Sequence, residues 1–261
     1  MRKSLVLGLA LLAVGTAQAV VVDFDDFYIR NNDSSTDAPW DGDLYVQENL
    51  DGDGFVASTP RSGQKVGYGT SAFNGLQLND LVTVDWDKVT GPLNLTAYLN
   101  IWVTDGLGNY AVISSENDYR GETFATRAEW KIFEFGPGSD FDWLFDSGDG
   151  TRVDQYLQRN GSNVTLADFS DDILVFAGPV GPTLGVGTGA PRAGYGFNII
   201  WGDTAANFTN GNPYEVDNVM VKWNSTVYTA GDPNAPVPEP ATMTLMGLGL
   251  IGLVVRSRKR A

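Results

Sequence analysis

With neither histidine nor cysteine among its 261 residues, this chain offers carboxylates, amides and aromatic rings as its leading candidates for chemistry. That absence removes Ser-His-Asp and Cys-His nucleophiles, the usual zinc ligand sets and every disulfide. The most informative carboxylate stands in EVDNVMVKW, residues 215–223. On a regular strand Val216, Asn218, Met220 and Lys222 share one side, and Asp217, Val219, Val221 and Trp223 the other. An aspartate leading an otherwise apolar face is costly unless it is paired or coordinates a metal. The aromatic lead is YLNIWVTDG, where Tyr98, Asn100 and Trp102 alternate with Leu99, Ile101 and Val103. Tyr and Trp beside Asn could form a glycan-stacking platform on an open sheet, or one of two core faces if loops cover that sheet.

Other acidic stretches carry weaker signals. NLDGDG, residues 49–54, imitates the start of an EF-hand loop, but Pro60 stands where that motif needs a bidentate Glu, so a hairpin loop is expected. DSGDG, residues 146–150, reads as a tight turn. Two carboxylates suffice for glycoside hydrolysis. Yet Glu116, Glu122, Glu129 and Glu134 fall in no recognisable motif, and the expectation is a protein that is not an enzyme.

The two ends are built for transport. MRKSLVLGLALLAVGTAQA has a basic start, an apolar run from Leu5 to Val14 and an Ala17-Gln18-Ala19 site. That describes a signal peptide over residues 1–19, cut between Ala19 and Val20. At the other end VPEPATMTLMGLGLIGLVVRSRKRA has a 15-residue apolar run closed by Arg256, Arg258, Lys259 and Arg260. At ~1.5 Å per residue a short hydrophobic helix there covers only about 22 Å of a ~30 Å hydrocarbon core. The basic cluster would stop on the cytoplasmic side, so the tail reads as a transient membrane stop.

Pro238-Glu239-Pro240, the glycine-spaced apolar run and the terminal arginines resemble the PEP-CTERM sorting signal of Gram-negative bacteria over residues 238–261. The resemblance implies recognition by a membrane-embedded exosortase, removal of the tail and delivery to the envelope or extracellular surface. IWVTDGLGNYAVIS, WKIFEF, TLADF and WGDTAANFTNGNPYEVDNV also look like the body of a recurring group of PEP-CTERM proteins without an assigned activity.

Between the signals, residues 20–237 hold 11 basic and 31 acidic residues. Such a surface repels phosphate backbones, which disfavours nucleic acid, and suits solubility outside the cell. Short β-rich runs separated by Gly, Pro, Asn and Asp recur at 20–29, 44–48, 64–68, 81–90, 95–104, 109–114, 130–135, 141–145, 173–177, 195–201, 215–223 and 226–229. Thr165-Leu166-Ala167-Asp168 carries a capping pattern for a short helical turn, and 178–194 is a Gly/Pro-rich loop. The expected fold is all-β: a single antiparallel, jelly-roll-like β-sandwich over residues 20–230, a linker over 231–237, and the two terminal signals.

EVDNVMVKW also resembles the closing strand of galactose-binding-like jelly rolls and related carbohydrate-binding modules. That likeness implies a structural Ca²⁺ on Asp217, helped by first-strand aspartates of VDFDDF such as Asp23 and Asp25. A strand-boundary aspartate bonded to backbone is the competing reading. The whole describes an exported structural or adhesive protein of the envelope or exopolysaccharide matrix. The alternative is a carbohydrate-binding module that holds extracellular polysaccharide.

Overall fold

The computed structural model describes residues 19–30, 44–60, 63–91, 96–116, 124–138, 140–179, 194–202 and 213–233. Ala17, most of the 178–194 stretch, Pro238, Glu239, Pro240 and the apolar runs at both ends, where helices were expected, lie outside them. The chain divides into two compact units, Met1–Gly231 and Asp232–Ala261, and the described strands belong to the first.

The strands are, in chain order, β1 (Val20–Val22), β2 (Asp25–Arg30), β3 (Tyr45–Glu48), β4 (Phe55–Ser58), β5 (Lys65–Thr70), β6 (Leu81–Thr90), β7 (Tyr98–Thr104) and β8 (Tyr110–Ser114). Next come β9 (Lys131–Gly136), β10 (Gly150–Val153), β11 (Tyr156–Arg159), β12 (Ser162–Asn163), β13 (Leu174–Val175), β14 (Phe197–Gly202), β15 (Tyr214–Trp223) and β16 (Thr226–Ala230). Among the described residues no helix reaches seven residues. The protein is all-β, with two sheets in a sandwich-like arrangement.

A six-stranded sheet runs β1-β16-β15-β4-β3, with β6 on β15. A ten-stranded sheet runs β10-β11-β9-β8-β7-β14-β5-β2, with β12 and β13 added to β11 and β7. The described pairings are antiparallel apart from β1, which runs parallel to β16. Side chains from both sheets meet in one large core. A row of rings fills it: Phe24 stacks on Tyr68 with centroids 4.9 Å apart, Phe55 lies 5.4 Å from Tyr68, and Trp201 stacks flat on Tyr214 at 3.7 Å. The Tyr214 hydroxyl accepts from Ala97 N at 2.8 Å, which satisfies its polar end inside the core.

Two local expectations need correction. FDWLF, residues 141–145, alternates on paper, yet Asp142–Leu144 is a 3₁₀ turn. Its buried residues are Phe141, Leu144 and Phe145, a spacing of three and four rather than two. Asp142 also accepts from Gly150 N at 2.8 Å, which closes the turn. The strands β4, β10, β11 and β12 lie where none was expected, because strands of two to four residues are too short for alternation to register. The Thr165 capping pattern does form: Thr165 N and Oγ1 both donate to Asp168 Oδ2, at 2.7 and 2.8 Å.

Candidate functional site

Strand β15 organises the acidic side of the molecule. One edge pairs with β6 along most of its length; the other pairs first with β4 and then with β16. Where the partner changes, the ladder has no strand to bond. A β-bulge sits there, between the pairs Asp217↔Asp87 and Met220↔Asp85, and Asn218 takes a left-handed φ of 54°. Asparagine is among the few residues that tolerate that region.

The bulge changes which side chains share a face. Tyr214 and Val216 before it, and Val219, Val221 and Trp223 after it, are all buried. An uninterrupted strand would have put Val216 opposite Val219, so the expected face assignment is wrong by one residue from Asn218 onward. Asp217 therefore does not lead the apolar face; it lies half-buried beside it.

The β3–β4 hairpin loop, Asn49–Gly54, fills the gap at the partner change. Asp53 O accepts from Val219 N at 2.9 Å. The Asn49 amide donates to Asp217 Oδ1 and to Asp53 Oδ1 (3.0 Å), while its oxygen accepts from Asp53 N and Gly54 N. A Cβ on Gly54 would stand 2.0 Å from Val216 O, so the two backbones meet where no side chain fits. Asp217 thus has a hydrogen-bonding partner, and the Asn–Leu–Asp–Gly stretch has a structural task that sequence spacing did not reveal. Beside this junction opens a cleft of about 270 Å³, lined by Asp53, Asp85, Asp87, Asn218, Trp86 and Met220 among others. Asn218 Nδ2 donates to Asp87 Oδ2 across it at 2.9 Å.

A second acidic group lies at the seam between the sheets. Asp26 on β2 is the cross-strand partner of Tyr68 on β5 and accepts from Glu48 N on β3 at 2.8 Å. Burial pushes its carboxyl up to about 6, Glu48 and Asp25 push the same way, and the Glu48 N–H opposes them. Burial, then bonding to Asp25, raises Tyr195 to about 12. Burial also raises Tyr68, and its hydroxyl has no hydrogen-bond partner among the described residues. Asp217 is committed to Asn49 and Asp25 to Tyr195. Among the described residues no three acidic side chains are grouped to hold a metal. The donor set Asp23, Asp25 and Asp217 is not assembled as a Ca²⁺ site in this arrangement.

The aromatic lead resolves toward the interior. Tyr98, Asn100 and Trp102 are each 0% exposed, as are Leu99, Ile101 and Val103 on the opposite face of β7. Tyr110, Phe176 and Gly178 pack against Trp102. The Lys65 ammonium lies 5.4 Å from the centre of the Tyr98 ring. Sugar stacking needs an exposed ring face, and neither ring offers one. Of the two readings open for this stretch, the arrangement matches the core one: both faces of this strand are interior.

Comparison with protein families identifies the PEP-CTERM protein-sorting motif over residues 236–259. No curated protein and no solved structure matches the chain. The galactose-binding-like likeness thus stays with the few residues that suggested it. The sorting motif implies export, processing by exosortase and cell-surface sorting. Among the described residues no helix is long and apolar enough to cross a membrane.

Proposed function

We propose that the body is a structural or adhesive component of a Gram-negative cell envelope or exopolysaccharide matrix, delivered there by exosortase and without enzymatic activity. The observation that carries this reading is the burial of Tyr98, Asn100 and Trp102, the residues best suited by type and spacing to hold a sugar. With that face interior, the charged groups left on the surface are mostly carboxylates, which favours hydration and multivalent ionic contact over recognition of one glycan. Pull-down of the processed protein with extracellular polysaccharides should give weak, salt-sensitive retention without preference among neutral glycans. Saturable binding of one neutral polysaccharide would overturn the reading in favour of a carbohydrate-binding module.

Processing supplies a separate check. If Pro238, Glu239 and Pro240 direct cleavage, mass spectrometry of surface material should recover body peptides and none from 248–255. The calcium-holding version of the alternative requires Asp217 to leave Asn49 and join Asp23 and Asp25. A ligand that binds only the native state stabilises it by ~2.7 kcal/mol at a hundredfold excess over its Kd. A melting temperature lowered by chelator in the wild type, but not in Asp217→Ala, would support that version.

A further inference from the structure

On the outer face of the ten-stranded sheet, Asn100 of β7 and Asn198 of β14 are direct cross-strand partners. Both are fully buried. Asn198 Nδ2 donates to Asn100 O at 3.1 Å and to Tyr195 O at 3.0 Å, which fixes the orientation of its amide. The remaining three polar atoms, Asn198 Oδ1 and both Oδ1 and Nδ2 of Asn100, have no hydrogen-bond partner among the described residues.

Three orphaned atoms on two adjacent residues stand out in a buried layer. A single unsatisfied buried amide group costs roughly 1–3 kcal/mol, and a fold would ordinarily place Leu or Val there. The surroundings are divided as well. An apolar cluster of Phe27, Ile29, Tyr98 and Ile200 lies to one side and another of Trp102 and Val112 to the other. The amide pair lies between them in sequence register, next to Ser114 on β8 and Gly69 on β5. Gly69 brings the β5 backbone close to the orphaned oxygen: a Cβ there would stand 2.5 Å from Asn198 Oδ1 and 2.8 Å from the Phe27 ring.

We propose that Asn100 and Asn198 form an internal binding site for hydroxyl groups, occupied by ordered water or by a small polyol. A hydroxyl both donates and accepts, which is what one free N–H₂ and two free carbonyl oxygens require. A charged ligand fits poorly, because these three atoms are neutral and aromatic rings stand on both sides. Buried waters typically make about three hydrogen bonds to polar groups that the protein leaves unpaired. A single water can accept from Asn100 Nδ2 and donate to Oδ1 of the same amide, so the site takes one or more ligand oxygens. It is independent of the matrix assignment above and would hold for a glycan-binding protein equally.

A crystal structure of the processed protein at atomic resolution tests this directly. The expected result is at least one oxygen position in the layer, accepting from Asn100 Nδ2 and donating to Asn100 Oδ1 or Asn198 Oδ1. Isolated peaks identify water; continuous density identifies a co-purified polyol. Direct pairing of the two amides, with no density beside them, would overturn the proposal. Asn100→Leu supplies a second readout, since the side chains are close in size. If hydroxyls occupy the site, the substitution displaces them, strands Asn198 Oδ1 and lowers the melting temperature. A raised melting temperature would mean a dry, unsatisfied amide and would overturn the proposal as well.

Discussion

The outer faces of the two sheets behave in opposite ways. On the six-stranded sheet the middle of β6 (84–87) and the second half of β15 alternate, with Val84, Trp86, Val219, Val221 and Trp223 inward and Asp85, Asp87, Met220 and Lys222 in solvent. On the ten-stranded sheet β5, β7 and β14 are buried on both faces. The first is the ordinary case of a sheet with one dry side. The second needs a cover, and its outer face carries tyrosine, asparagine, tryptophan and a buried lysine that would otherwise read as a ligand platform. The same residue types therefore mean different things according to what lies above them.

Trp102→Ala probes that contrast most severely. Removing a packed tryptophan costs ~3–5 kcal/mol, a large share of a domain's ~5–15 kcal/mol. Thermal melting should show a large loss of stability without selective loss of polysaccharide retention. A stable variant would mean that the outer face of the ten-stranded sheet is open in solution. Gly54→Ala comes next, at the junction that holds the wet sheet together. Its Cβ would meet backbone, which cannot swing aside, and forced overpacking costs ~1–3 kcal/mol. Urea denaturation should show that loss; an unchanged midpoint would mean that the loop does not dock on β15.

Asp26, at the seam between the sheets, gives a smaller and pH-dependent effect. Its folded carboxyl titrates near 6 against an ordinary value near 4. The folded state then holds the proton more tightly than the unfolded chain. The stabilising contribution is complete below about pH 4 and is lost as pH rises through 6. Asp26→Asn should remove that slope and gain up to about 1 kcal/mol at pH 7 relative to wild type, since the group is partly exposed and solvent screens it. Melting curves from pH 4 to 8 that stay parallel for the two proteins would refute the assignment. Met220→Ala, on the wet face, should change stability by no more than about 0.5 kcal/mol. A larger loss on melting would mean that this face is covered too.

What could be read in advance obeys the same division. The run LVTVDWDKVT announces β6, because a strand wet on one side alternates. YLNIWVT left two readings open, since a strand buried on both faces has no polar side to mark it. EVDNVMVKW misled for a different reason. Its buried apolar residues fall at 216, 219, 221 and 223, and the step of three signals a bulge, with Asn at the position that tolerates a left-handed φ. The Asn49 and Asp217 partnership had no comparable signal, because the two residues are 168 apart in the chain.

By itself the sequence determined the chemistry this protein lacks, its acidic surface, its all-β character and, through the motif at 236–259, its destination. These depend on residue type and local order, which composition and short motifs carry. Tertiary structure alone decided that Trp102 is interior, that Asp217 belongs to a loop-docking junction, and that Asn100 and Asn198 stand side by side in a buried layer. Each is a matter of which distant segment covers or bonds a residue, and solvent exposure and hydrogen-bond partners are set by contacts between strands that the chain brings together only on folding.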